Sequence, residues 1–320
     1  MSRTTAASQE YKTVRLFGTE YVDARAFAAH HALTAKWLVP GEKLRLENPW
    51  TTLDLAVDSL ELRLNDLRLF LFQPAIAHNG TLLLGSGDIE NTLSLILAPK
   101  LAGAAPPLRT IAIDAGHGGN DPGNQNKSLK LDEKVFTLDV AKRLEQLLKQ
   151  QGFHVVMTRT RDHAVTLEDR TAIAAKARAD LFVSIHFNSF TRDSVQGSEI
   201  YVMTPRGQRS SPEAERDDRM VTTAYPSNRY DNWNVLLGYH MHRQIVSLLK
   251  EPDRGLKHFR YSVLRTAECP AVLVEAAFLS NPVEGRKVAI PAYRQEIAAA
   301  VAAGIKAYAA SLDRIRTAKD

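Results

Sequence analysis

The chain has 320 residues, enough for one large or two ordinary domains, and its 44% hydrophobic and 24% charged content excludes wholesale disorder. Lys and Arg total 41 against 36 Asp and Glu, a surplus of +5 with no polybasic block, so the charge argues against a nucleic-acid partner and suits an anionic polymer. The single cysteine, Cys269, excludes internal disulfides and thiolate-rich metal sites and reads as a buried packing residue. No apolar stretch approaches the 18 residues of a membrane span.

Residues 1–10 are small and polar and predict a flexible leader without the apolar core of a signal peptide. Residues 11–99 predict a small α+β domain. Thr13-Val-Arg-Leu, Leu44-Arg-Leu and the longer run from Leu60 to Phe72 alternate as strands do, whereas Val22 to Leu33 and Ile89 to Leu97 read as helices. Residues 100–107, ending in two prolines, form a linker by composition.

From residue 108 to 320 apolar runs alternate with helical patterns, the signature of a layered α/β domain. The expected strands are Thr110–Asp114, His154–Thr158, Leu181–His186, Glu199–Thr204 and Ala271–Ala276. A helix over Asp132–Gln151 would bury Val135, Leu138, Ala141, Leu144 and Leu148, with Gly152 stopping it. Thr166-Leu-Glu-Asp opens another helix that runs to Ala177. Two more are expected at Val235–Leu249 and Tyr293–Leu312. The polar stretch between Pro205 and Trp233 reads either as a solvated insertion or as a lid facing a substrate.

Of ten histidines, position selects two. His117 follows the strand at 110–114 through a glycine-rich turn, and His186 ends the strand at 181–186. Both lie at carboxyl ends of apolar strands, the edge where open α/β sheets bind ligands. Glu275 interrupts the run Ala271-Val-Leu-Val-Glu-Ala-Ala-Phe, where a carboxylate is costly unless paired or placed in a cleft. At the head of the next helix, Glu133 would on its own be a helix-capping acid. Beside two imidazoles it becomes the third ligand of a hydrolytic zinc shell, with Asp121 and Asp132 as rivals. His240 and His242, two apart on a helix, point to nearly opposite sides, and His30-His31 has no carboxylate at ligand spacing; all four read as structural or surface residues.

Ile113-Asp-Ala-Gly-His-Gly-Gly-Asn-Asp-Pro-Gly, Asp132-Glu-Lys, Phe182-Val-Ser-Ile-His-Phe-Asn and Val272-Leu-Val-Glu-Ala-Ala-Phe-Leu-Ser-Asn-Pro occur in this order. Together they resemble the zinc-dependent N-acetylmuramoyl-L-alanine amidases of the Amidase_3 family, from about Leu108 to Leu312, and Arg254-Gly-Leu-Lys with Tyr261-Ser-Val-Leu-Arg also fits. The resemblance implies a mixed-sheet α/β catalytic domain, one Zn2+ on His117, Glu133 and His186, and Glu275 as the catalytic carboxylate. It implies peptidoglycan as substrate, cut between muramic acid and L-alanine. Asp114 and Asn188 are expected near the imidazoles, whose second N–H needs an oxygen, and Arg254 is a further substrate or support candidate. Ala175 and Asn124-Gln125-Asn126 depart from the family pattern at positions of fine substrate contact.

Some members need an activator that moves a helix blocking the zinc, and the polar 205–233 segment does not read as that helix. The substrate implies an extracytoplasmic location. The unit from Thr13 to Pro99 resembles in its pattern the small domain related to the N-terminal domain of copper amine oxidases. The competing readings are a zinc peptidase or carboxypeptidase acting on wall peptides, and an inactive wall-binding protein.

Overall fold

A computed structural model describes residues 11–211 and 218–318; the leader expected at 1–10 and part of the 205–233 stretch lie outside the described residues. The chain falls into two compact units, Met1–Leu101 with Gly207–Thr223, and Ala102–Arg206 with Ala224–Asp320.

In the first unit eight strands form an antiparallel path. They are β1 (Thr13–Leu16), β2 (Thr19–Asp23), β3 (Thr34–Val39), β4 (Lys43–Asn48), β5 (Thr51–Ala56), β6 (Ser59–Leu64), β7 (Leu67–His78) and β8 (Thr81–Gly85), with α1 (Ala24–His30) after β2. The order is β3-β4-β5-β6-β7-β8-β2-β1. Short helices α2 (Ser86–Asp88) and α3 (Ser94–Leu97) flank a π-type turn over Ile89–Leu93. Two expectations change here. The run from Leu60 to Phe72 is a hairpin, because Asn65 and Asp66 take the left-handed conformation that a tight turn needs. Val22 belongs to β2, and α1 begins only after Asp23, whose carboxylate accepts from Arg25 N at 2.7 Å.

The second unit is built on six strands: β9 (Thr110–Ala115), β12 (His154–Met157), β13 (Leu181–Asn188), β14 (Ser198–Val202), β15 (Asp253–His258) and β16 (Ala271–Phe278). A two-residue hairpin, β10 (Gln125–Asn126) and β11 (Leu131–Asp132), lies in the loop after β9. The order is β12-β9-β13-β16-β14-β15. The first four strands run parallel, β14 turns antiparallel to β16, and β15 runs parallel to β14. β13 and β16 are buried along nearly their whole length, which is why both read as continuous apolar runs.

The helices are α4 (Glu133–Gln150), α5 (Leu167–Lys176), α6 (Asp218–Thr222, in the first unit), α7 (Asp231–Leu249), α8 (Ser262–Arg265), α9 (Pro282–Ala289) and α10 (Pro291–Thr317). α4 packs on β9, β12 and β13, α7 packs on β14, β15 and β16, and α10 lies against both helices. The buried stripe of α4 is Phe136, Val140, Ala141, Leu144 and Leu148, whereas Val135 is 53% exposed. The expected stripe was rotated because Glu133 and Thr137, polar residues of the true inner face, carry no apolar signal. Thr166 caps α5 by accepting from Asp169 N at 3.1 Å.

Side chains alternate along each strand, so residues two apart share a face. Ala112, Phe182, Tyr201, Ala271 and Leu273 cluster with Ala174 of α5 and with Val263 and Leu264 of α8. By the same alternation Asp114, Ser184, His186, Glu199 and Glu275 belong to that face. It carries both an apolar cluster and every ionisable strand residue of the site.

Candidate metal centre and catalytic cleft

His186 and Glu275 are direct partners in the parallel ladder of β13 and β16, and Glu199 is the antiparallel partner of Glu275. These strands therefore set an imidazole and two carboxylates in one row. Beyond β9 the chain enters a turn in which His117 adopts φ +61°. A left-handed conformation at a residue with a side chain costs about 1–3 kcal/mol and persists only where neighbours enforce it. Here Gly118 N donates to the Asp121 carbonyl at 2.9 Å, Asp121 N returns the bond, and Arg170 Nη2 donates to the His117 carbonyl at 2.9 Å.

Glu133, the first residue of α4, is wholly buried between the two imidazoles. His117 Nε2 lies 3.1 Å from its Oε2 and His186 Nδ1 lies 3.0 Å from its Oε1. Backbone N–H groups of Asn124 and Phe187 donate to the same two oxygens at 2.8 and 2.9 Å. One ligand atom from each of His117, Glu133 and His186 falls within 4.8 Å of the others. Burial works to raise the Glu133 pKa, but His117 and His186 hold it well below the usual carboxylate range. Burial likewise disfavours the charged form of His117, and Glu133 and Asp121 outweigh it, raising its pKa.

Two glycines make room for this cluster. A Cβ on Gly116 would sit 2.3 Å from His186 Cε1, and one on Gly123, at φ +68°, would sit 2.7 Å from Glu133 Oε2. Two neutral imidazoles and a carboxylate are the donor set of a hydrolytic zinc centre, so the residues fit the metal that the sequence implies.

Glu275 lies at the floor of the same cleft, which has a volume of about 580 Å³ and is also lined by His117, Asp121, Asn124, Arg170, His186, Asn188, Val263 and Leu273. It is 9% exposed, and its Oε2 has no hydrogen-bond partner among the described residues. Burial, then the charges of Glu133 and Glu199, push its pKa well above the carboxylate range.

The remaining sequence candidates serve other groups. Asp114 reaches neither imidazole. Its Oδ1 accepts from Thr158 and Arg170 and its Oδ2 from Ser184, each at 2.7 Å. The oxygen beside His117 belongs to Asp121, whose Oδ2 lies 2.7 Å from Nδ1. Asp121 therefore takes the supporting position first given to Asp114 and stands outside the three-residue cluster in which it rivalled Glu133. Asp132 is turned away, accepting from Gln125 Nε2 at 2.8 Å. Asn188 and Arg254 both grip Glu199: Asn188 Nδ2 donates to Oε2 at 3.1 Å and Arg254 Nε donates to Oε1 at 2.5 Å.

Glu199 was not singled out from sequence, although Ser198-Glu-Ile-Tyr-Val carries the same signal as Glu275, a carboxylate inside an apolar strand. Tyr201 and Lys257 complete its shell at 2.5 and 3.2 Å. Burial would raise its pKa, yet Lys257, Tyr201 and Arg254 bring it below the usual range. Asn124 donates to the Phe187 carbonyl at 2.8 Å and Asn126 to the Leu279 carbonyl at 2.7 Å, so the Asn124-Gln125-Asn126 departure ties the loop to β13 and to the turn just beyond β16. His242, buried, lies 2.9 Å from Asp253, away from the cleft. Cys269 is buried, and burial pushes its thiol up to about 12.

A mixed-sheet α/β unit that brings two imidazoles and two carboxylates into one cleft has the layout of a metal-centred hydrolase. Residues 111–307, more than half of the chain, match the family described as N-acetylmuramoyl-L-alanine amidase, Amidase_3, and the chain belongs to that family. It is 36% identical over 218 residues to YqiI of Bacillus subtilis (strain 168), covering 68% of this chain and 93% of that protein. To the N-acetylmuramoyl-L-alanine amidase AmiC of Escherichia coli O6:H1 it is 32% identical over 245 residues, 69% of this chain and 58% of AmiC. The crystal structure of N-acetylmuramoyl-L-alanine amidase from Clostridium difficile 630 matches with a TM-score of 0.52 at 31% identity, covering 63% of this chain and 97% of that one.

Proposed function

We propose that the cleft carries out zinc-dependent hydrolysis of the amide joining N-acetylmuramic acid to L-alanine in peptidoglycan. The observation that carries this reading is the meeting of His117, Glu133 and His186 beside an unpaired buried carboxylate, Glu275, in a chain of the amidase family. Held by those three residues, zinc would polarise the amide carbonyl and bring the pKa of a bound water to about 7.

The remaining work falls to the protein. Glu275 accepts the proton of the attacking water as the oxygen bonds to the lactyl carbonyl carbon. As the C–N bond breaks, it passes that proton to the nitrogen, leaving a lactyl carboxylate and the free amine of L-alanine. The Glu275 Oε2, which has no hydrogen-bond partner among the described residues, is free to take that proton and hold it between those two events. Asp121 fixes the ring of His117, and Glu199 anchors Asn188 at the wall of the cleft.

Residues 108–320 are the catalytic domain in this reading, and residues 11–99 an accessory domain joined through 100–107. The substrate places the enzyme outside the cytoplasmic membrane, and no helix among the described residues is long and apolar enough to cross one. A protein activator would act on a blocking helix. The cleft lining found among the described residues comes from strand ends, the 116–124 loop and the starts of α5 and α8, which supports a site open to substrate. Digestion of purified sacculi with and without a chelator tests the reading: release of wall material that stops on chelation and returns with zinc is expected, and release that persists without metal contradicts it.

A further inference from the structure

His117 and Glu133 stand near opposite ends of one loop, and the spacing between them decides whether a ready-made metal site exists. Arg159, just beyond β12, spans that gap. It is 1% exposed, the largest of the fully buried side chains among the described residues. Its Nε donates to the Ala115 carbonyl at 2.8 Å, and its Nη2 donates to the Gly116 carbonyl at 2.8 Å and the Lys134 carbonyl at 2.7 Å. One guanidinium thus ties the two residues preceding His117 to the residue following Glu133.

Thr137 reinforces the tie, since its hydroxyl donates to the Gly116 carbonyl at 2.8 Å and accepts from Arg159 Nη2 at 3.1 Å. Arg170 holds the other side of the turn, and its charge is balanced by Asp114. Among the described residues Arg159 has no carboxylate at ion-pair distance; all its hydrogen-bond partners are carbonyl or hydroxyl oxygens. A buried cation whose carboxylate neighbours, Asp162, Asp114 and Asp121, act on it only from beyond ion-pair distance is a poor choice for stability, and an apolar side chain would fill the space at less cost. An apolar side chain cannot hold the Ala115, Gly116 and Lys134 carbonyls together, whereas the rigid fork of an arginine can.

We propose that Arg159 is a positioning residue that sets the spacing of His117 and Glu133 and so preorganises the metal site. The proposal rests on the reading of His117, Glu133 and His186 as metal ligands. It is tested on the full chain by zinc affinity, measured by competition with a chromophoric chelator, alongside the melting temperature of the metal-free protein. Arg159→Lys keeps the charge and loses the fork; it is expected to bind zinc at least about tenfold more weakly. Leu148→Ala, buried on the same helix and away from the ligands, is expected to lower the melting temperature while leaving zinc affinity at the wild-type value. Should Arg159→Lys not fold, Thr137→Val removes the supporting hydroxyl without changing shape and is expected to weaken zinc binding in the same direction. Wild-type affinity in the folded Arg159 variant, or in Thr137→Val where that variant does not fold, overturns the proposal. So does a loss of affinity in Leu148→Ala as large as that in the arginine variant. Failure of the wild-type chain to bind zinc would instead remove the ligand assignment itself.

Discussion

Glu275 and Glu199 face one another as direct partners across β16 and β14, yet only Glu199 is held by cations. Arg254 and Lys257 neutralise Glu199, while Glu275 is left with its charged form disfavoured. Two like residues on adjacent strands thereby acquire different work, one anchoring the wall of the cleft and one available for proton transfer.

The anchor is expected to be structural as well as functional. Glu199→Gln removes a carboxylate that pairs with Lys257, which is 2% exposed, and breaking a buried pair from one side costs about 3–5 kcal/mol. Arg254 is partly exposed, so Arg254→Ala should cost clearly less. Denaturant unfolding of the two variants measures the difference, and equal losses would contradict the ordering.

Asp121, rather than Asp114, supports the imidazole of His117. Asp121→Ala is expected to weaken zinc binding about tenfold to a hundredfold while leaving the metal-free fold intact, because its carboxylate is largely exposed. Asp114→Ala should behave in the opposite manner. It strands the buried Arg170 and lowers the melting temperature first. Calorimetric zinc titration and thermal melts of both variants distinguish the two.

Three buried carboxylates, Asp88, Asp231 and Glu284, are pushed up to about 7, burial being the leading cause in each. A folded pKa above the unfolded value means stability fully present below about pH 4 and lost as pH rises towards 7. His240 and His258, pushed down to about 4 chiefly by burial, have the opposite sign and lose stability as pH falls from about 6.5. The carboxylates outnumber them, so the metal-free protein is expected to melt at a lower temperature at pH 7.5 than at pH 5. Asp88→Asn should flatten that dependence and His258→Asn should steepen it. An unchanged slope in both variants would contradict these assignments.

Much of the second unit was legible because its parallel strands are buried on both faces and appear as unbroken apolar runs. The polar residues following, ending or interrupting three of them, His117, His186 and Glu275, stood out for the same reason. β15 did not, since Asp-Arg-Gly-Leu-Lys-His has no apolar alternation and its charged residues are held by partners distant in sequence. Arg159 was hidden in a similar way, and Asp121 stood out only as a rival ligand and not as the support of His117. Their roles lie in hydrogen bonds to backbone carbonyls and to one ring nitrogen, which leave no period in the sequence. The hairpin within Leu60–Phe72 was missed because Asn65-Asp66 is too short a break to disturb an alternating pattern.

These side chains are placed to cut one specific bond, and the identity of the product tests that assignment most directly. Purified sacculi digested by the zinc-loaded chain should yield stem peptides that begin with a free L-alanine amine, with the glycan strands left uncut. Glu275→Ala should retain zinc and lose that release by about 10²–10⁴-fold. New amino termini within the peptide instead of at L-alanine, or undiminished release by Glu275→Ala, would contradict the account.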